Sequence, residues 1–484
     1  MAPRRNPYVG LIIVAAVPAL LFGGCWRFAE SRLPAPVAGL LPVSNASHAD
    51  ATPAVLKTPL LSVRRLPGVL ARAVNISAFA TAAMAFAPQI DTTSCVALAV
   101  DGQPVASKNA GKPLRPASNV KVITAAVALQ VLGPGFTYST DVRGTLQSGV
   151  VGDLYLVGGG DPLLSSAWWK GSSPKYAPFN VTSIEELVGN IRDAGVKRIN
   201  GAVIGDAGRY DDEWYAPSWA NGVRFTEGGP ISALLANDSR ESNTTSSNDP
   251  VVGAATVLTK ALRDAGIAVS GKPSKGSTPG NLPVVASITS KPLPAVLQEM
   301  LTTSDNNTAE MLLKEVGLKV GGKGSREAGL NAVNEQLRSW GVPMDGVTLV
   351  DGSGLSDDNR LTCNALLAVL HHGTIDDAVG QGMATAGQEG GTLADAFLGT
   401  KLEGKLRGKT GTLYNYSDGT GGKPGAKALS GFLPVDGGGA VEFVMLLNGA
   451  QIAEKTNYRP IWDAFGKVLL SYPAGPSAST LSPR

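Results

Sequence analysis

Apolar and polar positions change rhythm several times along the chain. Residues 95–108, CVALAVDGQPVASK, place apolar Val96, Leu98 and Val100 at every second position ahead of Asp101-Gly102. A period of two broken by such a dipeptide predicts a β-hairpin. Residues 118–132, SNVKVITAAVALQVL, are apolar at helical spacing and stop at Gly133-Pro134-Gly135, which predicts a helix. From 136 to 285 the pattern shortens. FTYSTDVRG, GVVGDLYLVGGG and RINGAVIGD read as strands between Gly and Asp turns, and TSIEELVGNIRDAG and GAATVLTKALRDAG as amphipathic helices ending at glycine. After 286 longer helices return, followed by the strand-like KALSGFLPV and AVEFVMLLNGA.

At 484 residues the chain is too long for one ordinary core. Hydrophobic residues at 43% and charged residues at 17% describe a globular protein. The net charge of +3, without a long basic run, speaks against a nucleic-acid partner. Arg4 and Arg5 precede an apolar stretch, Val9 to Phe22. That order predicts a signal peptide or a membrane anchor over 1–29, and action outside the cytoplasm. Pro18 favours the former and the lack of a clear cleavage box the latter, so both stay open. Residues 30–77, rich in Pro, Ala and Ser, read as a linker.

Candidate chemistry is narrowed by what is scarce. Cys25, Cys95 and Cys363 form no CxxC pair, so no zinc site is expected. A Cys95–Cys363 bridge is open. Of three histidines, His371 and His372 are adjacent and diverge by ~100° on a helix, so they do not share one metal. A hydrolase here needs a base other than histidine. Lys121 stands in the first turn of the apolar run headed by Ser118, and positions three apart share a helix face. An amine beside a hydroxyl is one way to activate a serine without imidazole. The plain alternative is a capping serine with a snorkelling lysine. Ser172 to Lys175 has the same spacing, but in a Ser/Pro loop. Two further triplets follow. Ser304-Asp305-Asn306 falls at a break between helical runs, where Ser304 would also serve as an N-cap. Lys409-Thr410-Gly411 occurs once, entering a strand from a glycine turn.

The order S-x-x-K, S-x-N, K-T-G is that of penicillin-binding proteins and serine β-lactamases. With RPASNVKVITA, GDLYLVGGGDPLL, PISALLANDSR and DGSGLS, the chain resembles the D-alanyl-D-alanine carboxypeptidase/endopeptidase family typified by penicillin-binding protein 4, peptidase family S13, over about residues 80–470. The resemblance implies an α/β (α+β) transpeptidase-like fold with an inserted smaller α+β domain. On that basis 78–135 and 286–472 form the catalytic domain, 136–285 the insert and 473–484 a loose tail. It also implies a serine DD-peptidase acting on peptidoglycan stem peptides, acylated by β-lactams, with no cofactor. Ser118 would be the nucleophile and Lys121 the base, depressed by burial and by Lys409. Ser304 would relay the proton and Asn306 would hold the substrate amide. Lys409, Thr410, Gly411 and Thr412 would bind the substrate carboxylate end, with an oxyanion hole at the N–H groups of Ser118 and Thr412. A serine β-lactamase and an inactive envelope scaffold are the alternatives. Glu327 to Asn331 matches the E-x-x-L-N string of the former, yet sits in an amphipathic helical pattern. Ser353, between glycines, reads as a turn residue beside the site.

Overall fold

The computed structural model describes residues 66–171, 176–224, 226–414, 425–435 and 439–481. The N-terminal apolar segment with its arginines, the first part of the expected linker and the Ser172 to Lys175 string lie outside them. Helix α1 (Leu66–Phe86) begins inside the stretch read as linker. Ala71, Asn75, Phe79, Ala83 and Phe86 are buried along one face. A helical period was present there, hidden by small residues. Asn75 also reaches the described residues of the tail expected to be loose, 473–484. Its amide donates to Pro476 O (3.3 Å) and accepts from Gly475 N, tying the tail to α1.

Strands β1 (Cys95–Val100) and β2 (Gln103–Lys108) form the expected hairpin, with Val100 opposite Gln103. Asp101 and Gly102 both take positive φ (48° and 75°), as a tight two-residue turn requires. β1 is not half-exposed, however. Val96, Leu98 and Val100 enter one core while Cys95, Ala97 and Ala99 enter another. The next segment carries Ser118 in a short 3₁₀ turn, Ala117–Asn119, that leads directly into α2 (Val120–Leu132).

The middle of the chain builds sheets of its own. Its elements are β3 (Ser139–Arg143), β4 (Leu146–Gln147), β5 (Val150–Val151), β6 (Leu154–Val157), β7 (Leu164–Ser165), β8 (Thr182–Ser183), α3 (Ile184–Asp193), β9 (Arg198–Ile199), β10 (Val203–Asp206), α4 (Pro250–Asp264), β11 (Ala268–Val269), β12 (Ser274–Lys275) and β13 (Val284–Thr289). They order as β12-β10-β6-β3-β13 and β11-β9-β5-β4, with β7 and β8 paired. Ser183 and Asp249 cap α3 and α4 by accepting backbone N–H bonds. The apolar faces of both helices, Ile184, Leu187, Ile191, Leu258 and Leu262 among them, close one core with Val142, Leu154 and Val203. Between 208 and 235, Leu234 still enters that core, but most of the segment leaves it. Tyr210, Trp219, Ile231 and Leu235 pack instead with Met311 and Leu355, which brings this loop over the site.

The chain then continues through α5 (Leu293–Thr303), α6 (Asn306–Gly321), α7 (Arg326–Ser339), α8 (Cys363–His372), α9 (Ala378–Gly382), β14 (Ala384–Thr385), β15 (Arg407–Leu413), β16 (Gly425–Pro434), β17 (Ala440–Gly449) and α10 (Lys455–Leu469). A six-stranded sheet, β14-β15-β16-β17-β1-β2, joins residues 95–108 to strands between 384 and 449. One face packs on α2 and α5 to α8, the other on α1 and α10. A disulfide between Cys95 and Cys363 links β1 to α8.

Candidate active site

Three elements meet at Ser118. The first is its own turn, where Ala117 is held at φ 48°, a strained value for a residue with a Cβ, so that Ser118 heads α2 with its side chain half-exposed. The second is the junction of α5 and α6. Ser304 is the left-handed C-cap of α5 (φ 69°), and Asp305, not Ser304, caps α6 by accepting from Thr308 N. That corrects the expected N-cap and leaves the Ser304 hydroxyl for the site. The third is β15, which runs close against the Ser118 turn. A Cβ on Gly411 would lie 2.9 Å from Pro116 O and 3.0 Å from Ser118 N, so this approach needs glycine.

Lys121 lies at the centre, fully buried. Its Nζ is 3.1 Å from Ser118 Oγ, 2.6 Å from Asn306 Oδ1 and 2.6 Å from Ser353 O. Two of these partners are carbonyl oxygens and can only accept. They engage two N–H groups, and the third tetrahedral direction faces a hydroxyl that can also donate. A neutral amine in this cage points its lone pair at Ser118. Burial pushes Lys121 down to about 8, against Asp305, Asp351, Glu310 and Glu227, whose charges pull it up. The expected push from Lys409 acts the other way. Lys409 is depressed by burial and then by Lys121 and Lys427, whereas four carboxylates pull Lys121 up. Lys409 Nζ donates to Ser304 Oγ and to Thr410 O, each at 2.8 Å.

These groups line or underlie a cleft of about 550 Å³. Ser118, Ser304, Asn306, Thr410, Gly411 and Thr412 form one wall, and residues of the middle segment, including Trp169, Thr226, Glu227 and Arg240, form the other. All eight residues singled out in the sequence therefore converge. Several that were not singled out also belong. Asn306 is aimed by the Glu227 carbonyl, which accepts from its Nδ2 at 2.6 Å. Asn119 Nδ2 donates to Lys409 O (3.3 Å), and Lys427 donates to Thr412 Oγ1 (2.8 Å). A lysine in a mostly apolar strand was a readable signal for Lys427, but a backbone carbonyl leaves none. Ser353 is fully buried and enters through its carbonyl, not its hydroxyl. Neither His371, His372 nor Glu327 lines the cleft, and Glu327 is exposed on the first turn of α7.

Known proteins resemble the chain along most of its length. The D-alanyl-D-alanine carboxypeptidase of Actinomadura sp. (strain R39) is 29% identical over 413 residues, covering 69% of this chain and 73% of that protein. Carboxypeptidase DacB of Mycolicibacterium smegmatis is 30% identical over 465 residues, covering 89% and 93%. The crystal structure of penicillin binding protein 4 (dacB) from Haemophilus influenzae superposes with a TM-score of 0.65 at 20% identity, covering 80% of this chain and 99% of that one, and shows the same fold. Residues 80–250 and 231–467 match the D-Ala-D-Ala carboxypeptidase 3 (S13) family, so the chain, with its S-x-x-K, S-x-N and K-T-G segments gathered around one cleft, belongs to that family.

Proposed function

We propose that the chain hydrolyses the D-Ala-D-Ala bond of peptidoglycan stem peptides through an ester on Ser118. The observation that carries the reading is the set of three contacts at Lys121 Nζ. Lys121, as the free amine, takes the Ser118 proton while Oγ attacks the penultimate carbonyl carbon. Ser304, bonded to Lys409, relays the proton: it gives its own to the departing amine nitrogen as the peptide C–N bond breaks and recovers the one that Lys121 took from Ser118, which leaves Lys121 neutral again. Water then adds to the ester and regenerates Ser118. Lys409, Thr410 and Thr412 receive the terminal carboxylate, a charge-assisted contact that also restores a counter-ion to the depressed Lys409. Gly411 keeps the strand close. The N–H groups of Ser118 and Thr412 stabilise the oxyanion, each contributing ~3–4 kcal/mol in comparable sites.

A single D-Ala leaving defines a carboxypeptidase, a cross-linked amine an endopeptidase, and the open cleft accommodates either. A β-lactam offers the same carbonyl and carboxylate and acylates Ser118. The Cys95–Cys363 disulfide supports action outside the cytoplasm, in the cell envelope. Among the described residues one helix, Pro67–Gln89, is long and apolar enough to cross a membrane by length and composition alone. Membrane attachment through the N-terminal segment is part of the proposal. The test is incubation with fluorescent penicillin and with a D-Ala-D-Ala-terminated peptide, followed by mass spectrometry. Label on Ser118, released D-Ala and loss of both in Lys121→Ala are expected. Label on any other residue would overturn the assignment.

A further inference from the structure

Beneath Lys121 lies a buried ionic cluster, Glu310, Arg326 and Asp351, that does not line the cleft. Glu310 follows Asn306 by one turn of α6, so the two share a face. Asn306 meets Lys121, and Glu310 meets the turn Asp351 to Gly354. Glu310 Oε1 accepts from Gly352 N (2.9 Å) and Ser353 N (2.8 Å), and Oε2 accepts from Arg326 Nε (3.1 Å) on α7. Asp351 Oδ1 accepts from Gly354 N (2.8 Å) and Asn359 Nδ2 (2.8 Å), and its Oδ2 from Ser356 N (2.7 Å) and Trp219 Nε1 (2.9 Å). Thr124, three residues after Lys121 on α2, donates to Gly352 O (2.7 Å).

These bonds hold successive peptide planes at both ends. In the plane joining 352 and 353, Thr124 takes the carbonyl and Glu310 the N–H. In the next plane, Asp351 takes the N–H of Gly354, and the carbonyl of Ser353 is left facing Lys121. A carboxylate suits this task because it only accepts, and two successive N–H groups converge on one oxygen. We propose that Glu310 is a positioning residue for acylation: it fixes the turn so that the Ser353 carbonyl engages one N–H of Lys121, which turns the amine's remaining direction onto Ser118. The inference rests on Lys121 being the base.

Glu310 also contributes charge. Lys121 is faced by Asp305 and Glu310 from α6, Asp351 from the turn, Glu227 from the 226–230 loop and Lys409 from β15. Glu310 is faced by Asp351 and by Arg326, which also pairs with Glu213. Burial pushes the Glu310 carboxyl up to about 8, but the N–H groups of Gly352, Ser353 and Arg326 and the Ser353 hydroxyl all bond to it and each favours the carboxylate.

Glu310→Gln keeps an oxygen for the turn and sets an amide N–H against Arg326 Nε. Acylation by fluorescent penicillin, normalised to labelled sites and followed against pH, reads the result. We expect a fall of about tenfold to 100-fold, the scale of a sub-ångström to ångström misplacement. The rise of the rate with pH should also move to lower pH, because Lys121 has lost a negative neighbour. A packing role does not move that limb. A limb that stays in place overturns the inference, whatever the rate. Should Glu310→Gln fail to fold, Thr124→Val removes the other tie to the turn. A several-fold slower acylation is expected there, and an unchanged rate overturns the inference. Lys121→Ala is the control. If it still acylates, the base assignment falls, whereas an inert Lys121→Ala beside an unshifted Glu310→Gln removes Glu310 alone.

Discussion

The middle segment and the part of the chain around Ser118 bury different things. Between 136 and 285 the core closed by α3 and α4 is apolar, and Asp161 is the one acidic or basic side chain buried there among the described residues. Around Ser118 the chain buries Lys121, Glu310, Arg326, Asp351 and Lys409. Taking an ion out of water costs several kcal/mol even after relaxation. A region selected for stability alone would fill this volume with aliphatic side chains. On the proposed function, the contrast marks where the fold gives up stability to hold an amine uncharged and aimed.

The sharpest way to break the contrast is Lys121→Arg. A guanidinium stays protonated and cannot act as base. Acylation should fall by about 10²–10⁴-fold, the usual contribution of a general base, as read by the rate of penicillin labelling. A variant that acylates normally would show that a permanent cation suffices and that burial of a neutral amine is beside the point. The matching substitution in the other region is Ile191→Ala, at a fully buried position of α3. It should cost about 2–4 kcal/mol in urea unfolding and leave acylation per labelled site unchanged. A drop in the intrinsic rate would mean that this core feeds the site and that the two regions are not separable in this way. Between them lies Gly411→Ala. Its Cβ forces β15 away from the Ser118 turn, so acylation should slow about 30- to 100-fold with little change in the urea midpoint. A wild-type rate there would reveal slack in a contact that looks closed.

The same contrast governs what could be read from the sequence. The middle segment obeys local rules, with periodic helices, capping residues and glycine stops, and its helices were legible as such. The three signature triplets were legible because their residue types and order are unusual together. What failed was whatever depends on tertiary neighbours. Ser304 and Asp305 can both cap a helix, and the tie from Lys409 to Ser304 accompanies Asp305 in the cap. The carbonyl of Ser353 leaves no trace in a sequence, and Glu310 reads as an ordinary polar position of a helix. α1 was missed because its buried face is built from alanines and an asparagine as much as from Phe79 and Phe86. The balance of charge between Lys121 and Lys409 depends on carboxylates contributed by α6, the 351–354 turn and the 226–230 loop.

The smallest expected effect tests the physical premise directly. Lys121 takes up its proton near pH 8 when folded, against about 10.5 in the unfolded chain. Between these values the unfolded state binds more protons, so stability rises with pH across this window. Below it both states are protonated and the full cost of charging the buried amine is borne. Above it both are neutral and the cost vanishes. Lys409, also depressed, adds a contribution of the same sign. Lys121→Met removes one of the two. The stability difference between wild type and Lys121→Met, from urea unfolding at several pH values, should therefore shift by about 1–2 kcal/mol in favour of wild type from neutral to alkaline pH. That is a fraction of the 1.36 kcal/mol carried by each pKa unit, discounted for relaxation around the buried group. Loss of the bonds to Asn306 and Ser353 offsets the two curves but does not alter how their separation depends on pH. Parallel curves would mean that Lys121 holds its proton as firmly as a lysine in water, and the site would then have no free amine to offer Ser118.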